Sequence, residues 1–169
     1  LDVIAAAGNF GPKMTTVTLP ACDPEVIAVG AVETTGELVI WEKSSRGPTV
    51  EGKTKPDFVL WGTNLEMASH MADDEYVTKT GTSFSAPMLS GLTGLLWESG
   101  RRAYGEAWQF RWSQARELAP YFCTKPPDAA VKQDNTYGYG LPAAGMMLGQ
   151  VSRVRTPMQE TMETFPMIM

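Results

Sequence analysis

The sequence predicts an α/β fold built around a parallel sheet, and three observations carry that expectation. The runs DVIAAAG (2–8) and VIAVGAV (26–32) are apolar on both faces, as interior strands of a parallel sheet covered on both sides are. Met88, Leu89, Leu92, Leu95 and Leu96 recur at the spacing of one helix face. Between the strand-like and helix-like runs lie turn-forming clusters, GNFGPK, SSRGPTVEGKTKP and MADDE, rather than long polar tracts.

Taken in chain order, the first two runs are the firmest strands, ended by glycine or rich in β-branched residues. ELVIW (37–41), DFVLW (57–61) and YVTKT (76–80) are weaker strand candidates, and LEMASHMADDEYVTKT reads as a strand, a charged loop and a second strand. A helix follows Gly81-Thr82-Ser83, with Pro87 expected in its first turn, where a missing N–H costs little. A second, amphipathic helix is expected over Glu106–Leu118. The final stretch, VSRVRTPMQETMETFPMIM, holds four of the ten methionines and reads as an irregular tail that packs on the body or on a partner. The expected organisation is a body over residues 1–149 and a Met-rich tail over residues 150–169.

Composition narrows the function classes. The 169 residues suit one domain, and 43% hydrophobic with 20% charged residues is ordinary for a globular chain. A net charge of −5 offers no basic surface for nucleic acid or an anionic membrane, and no apolar run approaches the roughly 20 residues of a membrane span. Cys22 and Cys123 lack metal-type spacing, and their pairing stays open. The start at Leu1, directly before a strand-like run, reads as a fragment or a processed chain.

The chemistry concentrates at KTGTSFSAPMLSG (79–91). A serine at a helix mouth is exposed, and the free N–H groups of the first turn favour a developing negative charge beside it. These are requirements of a nucleophile. Capping of the helix by Thr82 or Ser83 is the simpler local reading, and the local sequence does not decide between them.

The wider sequence does carry a resemblance. GTSFSAPMLSG resembles the nucleophile motif of the subtilisin-like serine proteases, the subtilases, and AAAGNFG (5–11) resembles the segment bearing their oxyanion-hole asparagine. LPACDPEVIAVGAV (19–32), SSRGPTVEGKTKPDFV (44–59) and YGYGLPAAG (137–145) are similar to later segments of that family, in the family's order. The resemblance implies the C-terminal part of a three-layer, parallel-sheet, subtilisin-like catalytic domain. It implies a serine endopeptidase acting on protein or peptide substrates through an acyl-enzyme, with Ser83 as nucleophile and Asn9 as oxyanion-hole donor. No cofactor is expected. No EF-hand-like run of oxygen ligands is present, so no metal is assigned.

In that family the catalytic Asp and His precede the Asn, so both are expected from an upstream segment or a second chain. The single histidine, His70, lies outside the family's position for the base and reads as a solvated loop residue. Met88 stands where the family often has His, and Leu60-Trp61-Gly62 where it usually has Ala-Pro-Gly. Thr18 is placed by the resemblance near the first specificity pocket, although a plain loop residue is the simpler reading. Secretion is suspected from the resemblance alone. Two other readings stay open: an inactive subtilase-like binding or scaffold module, and another hydrolase or acyltransferase reusing Ser83.

Overall fold

The parallel sheet and one long helix laid across it organise the chain. The computed structural model describes residues 2–130 and 132–153. Strands β1 (Val3–Ala6), β2 (Val26–Val32) and β3 (Phe58–Trp61) form a three-stranded parallel sheet in the order β1-β2-β3. Val3 is in register with Val26, and Val29 with Phe58. The two firmest sequence expectations are therefore neighbouring strands. Every residue of β2 is buried, as its unbroken apolar run requires. β1 is the edge of this sheet among the described residues, and Val3 is 50% exposed.

Strands β4 (Leu65–Ala68) and β5 (Tyr76–Lys79) form a separate antiparallel hairpin, the strand–loop–strand expected from the sequence. The ELVIW segment is not a strand: only an isolated bridge, Val32 with Ile40, survives. Beyond Trp41 the chain leaves the sheet edge and folds over the sheet, where Ser44 Oγ accepts the Ala31 N–H at 3.0 Å.

Helix α1 (Thr82–Tyr104) covers one face of the sheet. Ile27, Val29, Phe58 and Leu60 from the sheet meet Ala86, Leu89, Leu92 and Leu96 from the helix in one core. Helices α2 (Trp112–Ala115), α3 (Ala119–Phe122) and α4 (Ala144–Arg153) add Trp112, Ala115, Ala119, Met147 and Val151 to the same core. Among the described residues the opposite face is covered by irregular chain instead of helix. A Cβ on Gly30 would lie 3.0 Å from Ser44 Oγ and 3.4 Å from Pro56 Cγ. The short antiparallel pair β6 (Cys123–Thr124) and β7 (Leu141–Pro142) leads into α4. α4 crosses the expected boundary at residues 149–150, and the rest of the expected tail, residues 154–169, lies outside the described residues.

Two further sequence expectations are corrected here. Helix α1 starts at Thr82, so Pro87 is its sixth residue and lies in the second turn. Its missing N–H leaves the Ser83 carbonyl without its i+4 donor. The region 106–118 is not one helix: after Gly105 the chain is irregular to Arg111, and helix resumes only at Trp112, with a 3₁₀ turn over Arg116–Leu118. The physical reason is Trp108, which is 8% exposed and lies flat against α1 where Gly100 leaves room. A Cβ on Gly100 would come within 2.1 Å of the Trp108 ring. Burying an indole of that size outweighs the modest gain of a continuous amphipathic helix.

A buried charge cluster pins β2 to β3. Asp57 Oδ2 accepts the Ala28 N–H at 2.8 Å and pairs with Lys55 Nζ at 2.7 Å, while Arg116 Nε approaches Oδ1 at 3.2 Å. Lys55 also donates to the Val26 carbonyl at 2.5 Å. An isolated buried carboxylate is costly, and here its partners are all supplied by the fold. Both cysteines are free thiols, and burial pushes the Cys123 thiol up to about 12.

The packing of Trp108 on Gly100 is open to a direct test. Gly100→Ala forces the ring or the helix to move and should lower stability by about 1–3 kcal/mol, read as a lower denaturant midpoint. Gly94→Ala, on the same helix with open space at its Cβ position, should be neutral or slightly stabilising. Equal effects at the two glycines would overturn the packing argument.

Candidate active site

The site forms where β1 ends and α1 begins. Gly8, just past β1, has φ +111°, a conformation glycine adopts without strain. It turns the chain so that Asn9 reaches the mouth of α1. A side chain at Gly8 would also collide with Ser45 Oγ, 2.8 Å from the Cβ position. The turn is held on its other side by Ser45, whose N–H donates to the Gly8 carbonyl at 2.9 Å and whose Oγ accepts the Phe10 N–H at 3.1 Å.

Thr82 then locks the asparagine. Its backbone N–H donates to Asn9 Oδ1 at 3.0 Å, its hydroxyl donates to the same oxygen at 2.8 Å, and Thr82 Oγ1 accepts the Gly8 N–H at 3.2 Å. A backbone N–H can only donate, so the atom of the Asn9 amide facing it must be the oxygen. The amide nitrogen is thereby turned the other way. It lies over the backbone of Gly81, where a Cβ would approach Asn9 Nδ2 to 3.4 Å. The sequence reading offered Thr82 or Ser83 as a helix cap, but the cap position is Gly81, which has no side chain to do so, and the first N–H of the helix is taken by Asn9. The Thr82 hydroxyl is spent on the asparagine instead.

Ser83 is the second residue of α1 and is exposed. At that position its backbone N–H has no intrahelical acceptor. The first turn of α1 holds no acidic residue, so nothing there offsets the positive end of the helix dipole beside the serine hydroxyl. Beneath it, Ser85 is buried and donates to the carbonyls of Leu60 and Trp61 at 3.2 and 3.1 Å. Gly62 admits this contact, because a Cβ there would lie 2.6 Å from Ser85 Oγ. The helix mouth therefore rests directly on the end of β3.

The structure brings Asn9, Thr82 and Ser83 together and leaves His70 apart. His70 is exposed in the loop joining β4 to β5. The other end of that hairpin, where Leu65 pairs with Lys79, is the end next to Gly81. Four residues of strand separate the two ends, about 13 Å at strand rise. Thr18 lies beside the Gly8 turn, its Oγ1 being 3.2 Å from the Gly8 Cβ position. Among the described residues no three His, Cys, Asp or Glu side chains gather where a metal ion would bind. The roles of Thr82, Ser45 and Gly62 escaped the sequence reading, because their partners lie far off in the chain.

The chain is similar to known proteins in sequence and in fold. A family model described as the subtilase family matches residues 2–140. Serine protease AprX of Bacillus subtilis (strain 168) is 33% identical, over 56% of this chain and 25% of that protein. A subtilisin of Bacillus sp. (strain TA39) is 30% identical, over 56% of this chain and 24% of that protein. The chain thus spans about a quarter of the length of these curated relatives. In fold it is similar to the CspB protease of Clostridium perfringens, with a TM-score of 0.68 and 24% identity over 82% of this chain and 29% of that one. Sphericase gives a TM-score of 0.62 and 24% identity, covering 81% of this chain and 46% of its own.

The Thr82 lock makes a prediction independent of any activity. Thr82→Val leaves the Gly8 N–H without an acceptor and removes one donor from Asn9. It should destabilise the protein by about 1–3 kcal/mol, measured by denaturation. Thr82→Ser keeps the hydroxyl and should recover most of the loss. A valine variant as stable as the parent would show that the hydroxyl holds nothing.

Proposed function

The chain belongs to the subtilase family, and from that membership we propose that it carries the nucleophile of a serine endopeptidase cleaving protein or peptide substrates. The observation behind this reading is the state of the Asn9 amide. Its oxygen is held by two donors from Thr82, so its Nδ2 hydrogens remain for an oxyanion beside an exposed serine.

In the proposed reaction Ser83 Oγ attacks the substrate carbonyl carbon while a histidine takes its proton. The carbonyl oxygen becomes an oxyanion and accepts hydrogen bonds from Asn9 Nδ2 and the Ser83 N–H. Collapse breaks the C–N bond, the histidine gives its proton to the departing amine, and an acyl ester remains on Ser83. Water then repeats the sequence on that ester and regenerates the serine. None of these steps calls for a cofactor.

In this proposal the histidine, and the aspartate that orients it, come from a segment outside this sequence or from a second chain. Two observations support it. The only histidine of the sequence sits at the far end of the β4–β5 hairpin. The outer edge of β1 carries no strand among the described residues, so the sheet has room for one. A second reading, an inactive binding module, is favoured by one observation: among the described residues the Ser83 hydroxyl has no hydrogen-bonding partner. The secretion suspected from the sequence stays part of the proposal; no helix among the described residues is long and apolar enough to cross a membrane.

A fluorophosphonate should label Ser83 in the completed enzyme, and Ser83→Ala should abolish both labelling and peptide hydrolysis. Turnover that survives Ser83→Ala would remove the nucleophile assignment. Asn9→Leu should lower kcat with little change in KM, since its amide meets an oxyanion formed only during reaction. The expected loss is about 10²–10³-fold, a magnitude known from such an asparagine in a subtilisin. A change confined to KM would argue against the oxyanion role.

The open edge gives a further expectation. Purified without a completing segment, the chain should aggregate or elute as a partly folded species and show no peptidase activity. A monodisperse, cooperatively unfolding and inactive monomer would favour the binding module.

A further inference from the structure

An apolar groove of about 230 Å³ lies between the C-terminal part of α1, the α2–α3 region and α4, remote from the Ser83 site in sequence and built on the opposite half of α1. Its wall is formed by Leu96, Phe110, Leu118, Phe122, Met147 and Val151, with Arg111 at one side. Two large apolar side chains stand exposed along it, Tyr121 at 79% and Met146 at 52%. A lined apolar groove of this kind, flanked by exposed aromatic and thioether groups, marks a docking surface.

We propose that the groove receives the chain's own C-terminal segment, residues 154–169. Position is the first argument. Gln150 and Val151 belong to the groove wall and α4 is described as far as Arg153, so the segment begins three residues after the wall. At about 3.5 Å per extended residue, Met158 can lie up to about 18 Å from Arg153.

Chemistry is the second. The segment carries Met158, Met162, Phe165, Met167, Ile168 and Met169. Unbranched thioethers adapt to irregular walls and make favourable contacts with aromatic edges, which Phe110 and Phe122 supply. Charge is the third. Arg111 forms no ion pair among the described residues, and the segment offers Glu160 and Glu163. A tethered segment also acts at an effective concentration in the millimolar range, so contacts too weak for a separate partner suffice. The family match ends at residue 140, so the segment lies beyond it, while most of the groove wall lies within it.

The experiment uses the full chain in whatever assembly it is isolated, with photo-methionine in place of methionine and cross-links mapped by mass spectrometry. Tail positions Met158, Met162, Met167 or Met169 should cross-link to peptides containing Phe110 or Leu118. Arg111→Glu, and separately Glu160→Lys with Glu163→Lys, should each lower that yield about fivefold. The tail variant alters no residue of the folded body, so it stays informative should the groove variant fold poorly. A mixture of light and heavy isotope-labelled chains should give cross-links within one chain. Tail cross-links that avoid the groove peptides, yields unmoved by both charge variants, or cross-links only between light and heavy chains would overturn the proposal. The last outcome would point to exchange of tails between two copies.

Discussion

Three hydrogen bonds at one threonine hold the end of β1 to the start of α1. Thr82 uses its N–H, its hydroxyl proton and its hydroxyl oxygen on Asn9 and Gly8, residues 73 and 74 positions away in the chain. Thr82 itself is 1% exposed, so leaving its hydroxyl or N–H unpaired would be costly, while Asn9 reaches it from the exposed side. These bonds fix the start of the helix, the turn at Gly8 and the orientation of the Asn9 amide together. A helix starting one residue later would lose the backbone donor, and a flipped amide would set a donor against a donor.

The rest of the architecture serves that junction. β2, buried along its whole length, is the spine against which β1 and β3 are registered, and the Asp57 cluster secures the β2–β3 pairing from beneath. α1 is then pressed onto the sheet by Leu89, Leu92 and Leu96 and held at its mouth by Ser85 on the end of β3. The helix mouth is thus fixed from two strands, β1 through Asn9 and β3 through Ser85. A serine between two such anchors keeps its backbone in place while its own side chain stays exposed, a combination suited to a reacting group.

The serine and asparagine of the candidate site were legible through a resemblance carried by short strings. Ser83 stands out after Gly81-Thr82, and Asn9 follows a strand ended by glycine. The β4–β5 hairpin showed itself as two strand-like runs around MADDE. What stayed hidden depends on partners distant in the chain. Thr82 looks like a helix cap until Asn9 arrives, and then its hydroxyl has a better acceptor. Ser45 and Gly62 look like loop residues until the Gly8 turn and Ser85 come to rest on them. The helix expected over Glu106–Leu118 failed for the same reason, since its amphipathic period was real but the Trp108 ring found a deeper place against Gly100.

By itself the sequence determined most of the element types and the parallel sheet, and through the resemblance it singled out Ser83 and Asn9 as candidates, since periodicity, turn residues and reactive groups are properties of neighbouring positions. The tertiary structure decided where α1 begins, and therefore that Pro87 falls in its second turn. It also decided which atom of Asn9 faces the helix mouth, and that the sheet is covered by helix on one face and irregular chain on the other. Each of these rests on hydrogen bonds and packing between segments tens of residues apart. Such contacts form only when burial brings the segments together, and no local pattern encodes them.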